Sequence, residues 1–232
     1  MKRHPLLPAL ILLLTHGGAW AGTITGVVRA RGKEGAVTEG AEGKYDSRKF
    51  KFAERVDYSE LRDFVVYLEG RAGTNLPAPV EPAKVITTRK VSQKGAVFSP
   101  HVLPVVVGTT VEWPNLDDVF HNVFSMSEAK PFDLGLYKNP EMKRITFDKA
   151  GRVDVFCSIH ANMSCTVLVL ENPWSAVADE RGHYSITNVP AGTYQLKAWH
   201  ERLPPQVQSI TVPESGEVKT DFKLGITNLP KY

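Results

Sequence analysis

Cys157, His160 and Met163 recur at every third position in the segment Phe156-Cys157-Ser158-Ile159-His160-Ala161-Asn162-Met163. One short connection between strands can turn a thiolate, an imidazole and a thioether of that spacing toward a single point. Far upstream, Phe120-His121-Asn122-Val123 supplies a second imidazole from a different part of the chain. Two His and one Cys with a weak axial Met make the ligand set of a blue-copper electron-transfer site. Thiolate and thioether suit Cu(I), whereas imidazole suits Cu(II). A site that compromises between the two changes little on electron transfer, and small reorganisation makes transfer fast.

Other arrangements compete for the same residues. The chain has two cysteines, and Cys157 and Cys165 could pair as a disulfide. The Cys-x-x-His-x-x-Met spacing could be fortuitous, since a single His is more often structural than ligating. Zinc fits less well, because structural zinc asks for more Cys or His and Met is a poor zinc ligand. A binuclear copper centre would need both cysteines, and the loop between them already carries His160 and Met163. Two cysteines are too few for an iron–sulfur cluster, and no Cys-x-x-Cys-His run exists to attach haem. With no His-x-His pair, a multicopper oxidase cluster has no ligands.

The elements around these residues read as short strands. Gly22–Arg31 alternates and is β-branched, and Phe64–Leu68 is a second apolar run. Leu103–Trp113 divides into two strands at Gly108. Ile145–Phe147, Arg152–Cys157 and Cys165–Leu170 continue the series, followed by His183–Thr187, Thr193–Trp199, Val207–Val212 and Glu217–Leu224. Turn signals at this spacing predict β-sandwiches. Gly32–Gly43 reads as a loop, Ser47–Arg62 as a helical turn or two, and Arg71–Lys84, with Pro77, Pro79 and Pro82, as a linker. No sustained helical periodicity is present, so the fold class is all-β.

The 232 residues carry 28 Lys plus Arg against 25 Asp plus Glu, a balance too even to argue for nucleic acid. Lys2, Arg3 and His4, the apolar Leu6–Leu14 and the small-x-small Ala19-Trp20-Ala21 have the layout of a secretion signal. The apolar core is too short to span a bilayer, so stable membrane insertion after cleavage is not expected. Residues 1–21 are accordingly a signal peptide, and the mature chain is predicted to be periplasmic, where disulfides are permitted.

Val97–Asn172 resembles a cupredoxin of the plastocyanin and amicyanin group. The matching runs are FSPHVLPVVVGTTVEWPNLD, HNVFS and TFDKAGRVDVFCSIHANMSCTVLVL. The resemblance implies a Greek-key β-sandwich with one type 1 copper held by His121, Cys157, His160 and Met163. It also implies that Asn122 ties the two ligand loops together and that its backbone donates toward the thiolate. The short Cys-to-Met loop is that of amicyanin. Ile159 stands where many relatives have Pro, and Cys165 is a second departure.

Val177–Leu224 resembles the carboxypeptidase regulatory-like β-sandwich through ADERGHYSITNVPAGTYQLKAWHE. Tyr184, Ile186, Tyr194, Leu196 and Ala198 are its candidate inward faces. That half alone is small for a stable core. The strands at Gly22–Arg31 and Phe64–Leu68 are therefore assigned to the same module. The expected order is 22–84 as its first part, 85–173 as the cupredoxin, and 174–232 as its second part. Together the modules resemble exported methylamine-utilization-type cupredoxins.

The expected function is a one-electron copper carrier serving redox protein partners, and not an enzyme. His121 would hold the buried side of the site and His160 its exposed edge, with Ile159 and Ala161 in a small docking patch. A copper carrier or buffer and a non-catalytic binding or adhesion module are the alternatives. His183 and His200 are expected to face solvent or pack, His200-Glu201 being a weaker candidate for a second metal or partner contact. His101 is expected on the surface, a place near the site being the alternative.

Overall fold

The structure, a computed structural model, describes residues 21–32, 57–69 and 88–225. The secretion signal (all but its last residue), most of the Gly32–Gly43 loop and the proline-rich linker lie outside the described residues. Among the described residues all regular structure is β. Of the expected helical turn or two at Ser47–Arg62, residues 47–56 lie outside the described residues, and residues 57–60 make a turn with Glu60 N donating to Asp57 O at 3.2 Å.

Strands β1 (Ala21–Ala30) and β2 (Val65–Leu68) come first. The middle of the chain holds β3 (Thr88–Lys90), β4 (Ser92–Gln93), β5 (Phe98–Ser99), β6 (Val102–Val106), β7 (Thr109–Pro114) and β8 (His121–Ser125). It continues with β9 (Phe132–Tyr137), β10 (Met142–Phe147), β11 (Gly151–Phe156) and β12 (Ser164–Leu170). The last third holds β13 (Ser175–Val177), β14 (His183–Pro190), β15 (Gly192–His200), β16 (Leu203–Val212), β17 (Glu217–Lys219) and β18 (Phe222–Leu224).

The two earliest strands pair with the latest ones. β1 lies antiparallel to β14 and parallel to β17 and β18, while β2 sits between β13 and β15, with β16 beyond. These sheets enclose one core, with Ile24, Val28, Val66, Leu68, Tyr184, Ile186, Tyr194, Leu196, Ala198 and Phe222 buried inside. The alternation of β1 buries Gly22, Ile24, Gly26 and Val28 on one face, as a period-two pattern requires. Gly26 is there for space: a Cβ on it would stand 1.8 Å from the Thr220 carbonyl oxygen. At that close approach the expected single strand Glu217–Leu224 breaks into β17 and β18, and Thr220 N donates to Thr25 O at 2.8 Å.

The middle of the chain makes a second pair of sheets, one ordered β6-β12-β11-β8-β9 and the other β10-β7-β3. Their core contains Val105, Val111, Trp113, Val123, Tyr137, Phe147, Val153, Val155 and Val167, with Cys157, Met163 and Cys165 at one end. Gly108, at φ +90°, makes the turn between β6 and β7, a backbone conformation in which glycine carries no Cβ penalty. β9 alternates Phe132, Leu134 and Leu136 with Asp133 and Gly135, a pattern that sequence reasoning passed over. It is a sheet edge that packs Phe132, Leu134 and Tyr137 on the core and has a left-handed Gly135 at φ +66°.

β12 is buried on both faces, which explains its continuous apolar run. Cys165, Val167 and Val169 face the core of their own sheets. Leu168 and Leu170 join Val102 of β6 against Val65, Trp199 and Tyr67 of the other sheet pair. The two sheet pairs therefore share an apolar seam.

Candidate metal centre

The site is built where the β8 start meets the loop between β11 and β12. His121 opens β8 opposite Tyr137 of β9, and is fully buried. Before it, Asn115 folds the chain back: its Oδ1 accepts from Asp117 N at 2.9 Å, and its Nδ2 donates to Val119 O at 3.0 Å and Tyr137 O at 2.9 Å. Asn and Asp side chains commonly stabilise such turns by bonding to nearby backbone. The turn places the Asp117 carboxylate 2.9 Å from His121 Nε2. Gly95 N and Ala96 N, at 2.8 and 3.1 Å, also donate to that carboxylate. Burial pushes the Asp117 carboxyl up, but the Gly95 amide, the His121 ring and the Ala96 amide outweigh it and hold the group below its usual value.

An ionised carboxylate only accepts, so the His121 proton sits on Nε2 and Nδ1 presents a lone pair to the interior. That lone pair points at the second loop. His121 Nδ1 lies 3.1 Å from His160 Nδ1, which in turn lies 3.7 Å from Cys157 Sγ. The donor atoms of His121, Cys157 and His160 all fall within 4.8 Å of one another. Cys157 is buried and His160 partly exposed.

The loop that carries two of these groups is closed by its own backbone. Cys157 N donates to Met163 O at 3.1 Å and Met163 N to His160 O at 3.0 Å, and the Met163 side chain is buried in the same core. Asn122 fastens this loop to β8: its Oδ1 accepts from Ser158 N at 2.6 Å, while its Nδ2 donates to Asp133 Oδ1 at 3.3 Å.

The donor set fits a soft or borderline metal ion. Two imidazole nitrogens and a thiol, nearly dry, converge without a carboxylate among them, and such a set selects copper over magnesium or calcium. The carboxylate of Asp117 stands one layer out, where it fixes the tautomer and the orientation of the ring. Sequence reasoning missed Asp117. An acid four residues before a ligand His was the signal available for it.

Both cysteines are free, so the alternative of a Cys157–Cys165 disulfide is not what the structure contains. Cys165 stands opposite Val155 in the β11–β12 ladder and is buried in the core, where burial pushes its thiol well above the ordinary value. His183 is exposed and pairs with Asp179 at 3.3 Å. His200 is buried, packs on Phe64 at 4.9 Å between centroids, and accepts from Arg202 N at 3.1 Å. His101 is half-exposed and lies against Glu201.

Residues 173–220 match the family described as Polysaccharide lyase family 4, domain II, and not the carboxypeptidase regulatory-like module that the motif suggested. No curated protein matches the chain. Among solved structures, a proline-to-glycine variant of amicyanin in its reduced Cu(I) form at pH 4 is 27% identical over 35% of this chain and 81% of its own, with a TM-score of 0.34. A purple cupredoxin from Nitrosopumilus maritimus is 28% identical over 35% of this chain and 98% of its own, with a TM-score of 0.32. At these scores the metal assignment rests on the side chains themselves.

Proposed function

We propose that the protein is an exported, periplasmic type 1 copper protein that carries single electrons between redox partners. One observation carries the reading: His121 Nδ1, His160 Nδ1 and Cys157 Sγ converge within 4.8 Å at the end of a β-sandwich. Those three side chains would hold the copper, with Met163 as the weak axial ligand. Copper there supplies a Cu(II)/Cu(I) couple, its potential tuned by the axial ligand and by the surroundings of the sulfur.

The protein's own residues do the rest. Asp117 keeps His121 in the tautomer that offers Nδ1, and Asn122 holds Ser158, next to Cys157, in place. The surrounding core keeps water from Cys157. His160 is the only one of the three with solvent access, so electrons enter and leave along its ring. Ile159, 52% exposed, and the exposed Ala161 border it as a small apolar face suited to brief encounters. In this reading residues 85–173 are a cupredoxin inserted into a split β-sandwich formed by 22–84 and 174–232. The second part of that sandwich is the segment that matches Polysaccharide lyase family 4, domain II.

The test is a visible spectrum of the purified chain after adding Cu(II), before and after ascorbate. An intense red-light absorption that bleaches on reduction and returns on reoxidation supports the reading. A colourless complex, or copper that binds without reversible reduction, sinks the electron carrier and leaves copper storage or a purely structural role.

A further inference from the structure

The seam between the two sheet pairs carries a polar circuit as well as an apolar one, and the circuit ends beside the metal loop. His101, just before β6, accepts from Thr166 N through its own carbonyl at 2.8 Å. Its ring Nδ1 lies 3.2 Å from the Ser164 carbonyl oxygen, and its Nε2 lies 3.0 Å from Glu201 Oε2. Ser164 directly follows Met163. Glu201 belongs to the turn between β15 and β16, on the other side of the seam.

Both ring nitrogens of His101 thus face acceptors. A neutral imidazole can donate to only one of them, so the contact is complete when the ring carries both protons. A second branch closes the circuit. Thr166 Oγ1 donates to Asp154 Oδ1 at 2.9 Å, Arg152 Nε donates to the same oxygen at 2.8 Å, and Arg152 Nη1 donates to Glu201 O at 3.0 Å. The Arg152 guanidinium also stacks over Trp199, 5.6 Å from its centroid. The charged or titratable groups facing His101 and Glu201 are Asp63, Arg152 and the buried His200, which burial holds below its usual value; Asp154 faces Arg152, and Arg202 faces His200.

We propose that His101 is a positioning residue through which the β15–β16 turn holds the metal-binding loop. The proposal rests on the copper reading for its purpose, but its mechanism concerns the loop alone. Met163 is fixed on its inner side by Cys157 N and His160 O. The next residue, Ser164, is fixed on its outer side by His101, and His101 by Glu201. Loss of Glu201 frees the ring, and the freed ring no longer pins the point where the loop re-enters β12. Sheets transmit such constraints because packed elements shift as units.

The test uses the full chain without metal and follows the rate at which Cys157 reacts with a thiol reagent, the modified peptide being identified by mass. Glu201→Gln, nearly isosteric on a part-exposed carboxylate, is expected to speed labelling about fivefold, the factor appropriate to a part-exposed charge pair. His101→Ala should speed it at least as much, and the double variant no more than His101→Ala alone. Glu112→Gln, which breaks the exposed pair with Arg144 on the other sheet, should leave the rate unchanged. After adding Cu(II), Glu201→Gln should also shift the shape of the thiolate absorption. Labelling of Glu201→Gln no faster than of Glu112→Gln, or additive effects in the double variant, would overturn the proposal. If His101→Ala does not fold, the two glutamate variants still decide it. If the wild-type chain takes up Cu(II) without a thiolate absorption, the copper reading fails, while the labelling rates still judge the coupling.

Discussion

His160 lies on the loop after β11 and His200 ends β15, and the two have opposite fates. His200 finds everything it needs locally: Phe64 covers its face and Arg202 N donates to its Nδ1. His160 has no such backbone partner for its Nδ1, which instead faces His121 Nδ1 and Cys157 Sγ. The same contrast separates the two sandwiches. In the one that includes β1 and β2, polar groups reaching the core end singly on carbonyls, as Tyr184 does on Thr220 and Tyr194 on Pro190. In the other, His121 keeps Nε2 on Asp117 and turns its Nδ1, with His160 Nδ1 and Cys157 Sγ, toward one point. An imidazole is free to ligate when the fold partners one ring nitrogen and leaves the other facing soft donors.

The largest test of that contrast is to remove the thiol. Cys157→Ser should abolish the red-light absorption of the copper-loaded protein, whereas Cys165→Ser should leave it in place, because Cys165 packs into the core behind the β11–β12 ladder. Colour lost only in the second variant would break the ligand assignment.

Next in size is the seam itself. Leu168 is buried against the other sheet pair, and Leu168→Ala should cost about 2–5 kcal/mol in urea unfolding. Two well-separated transitions in that variant, where the parent shows one, would show that the seam and not the strand exchange joins the sandwiches.

Asp117→Asn sharpens the comparison further. It should lower copper affinity about 10–100-fold by freeing the His121 tautomer, measured by competition with a chelator. His200→Gln should leave that affinity unchanged. Equal losses in the two variants would mean that the ring nitrogen facing inward is not selected by Asp117.

The smallest effect is a pH dependence. The Glu201 carboxylate raises the His101 value above its ordinary 6.5, and His101 in turn holds Glu201 below its ordinary 4.5. A raised histidine value means that the pair's contribution is fully present below 6.5 and fades as pH climbs through the folded value. On the acid side it fades once Glu201 takes up a proton below 4.5. The advantage of the parent over His101→Gln in thermal unfolding should therefore be greatest between these limits. It should stay under about 1 kcal/mol, since part-exposed pairs are worth little. An advantage that grows above pH 8 would contradict the pair.

Much of the architecture was legible because it is local. Alternation in β1, β14 and β15 marked their buried faces, and Tyr184, Ile186, Tyr194, Leu196 and Ala198 are all buried. β9 alternates Phe132, Leu134 and Leu136, but the left-handed Gly135 inside it reads as a turn. The single strand expected at Glu217–Leu224 is two, because the close approach at Gly26 is a contact between distant segments. Cys157, His160 and Met163 could be picked out by spacing within one loop, and His121 by its Asn neighbour. Asp117 lies four residues before His121, but its spacing alone does not show its role, which depends on a turn that brings Gly95 and Ala96 to the same carboxylate.

By itself the sequence determined the residue types and the strand periods, and with them an all-β chain bearing one soft donor set. Only the tertiary structure decided that two Nδ1 atoms and a thiol converge, that both cysteines stay free, and that His101 joins Ser164 to Glu201. The physical reason is distance along the chain. Side-chain period and loop spacing are written in neighbouring residues, whereas convergence and pairing depend on how separate strands stack, which no local pattern encodes.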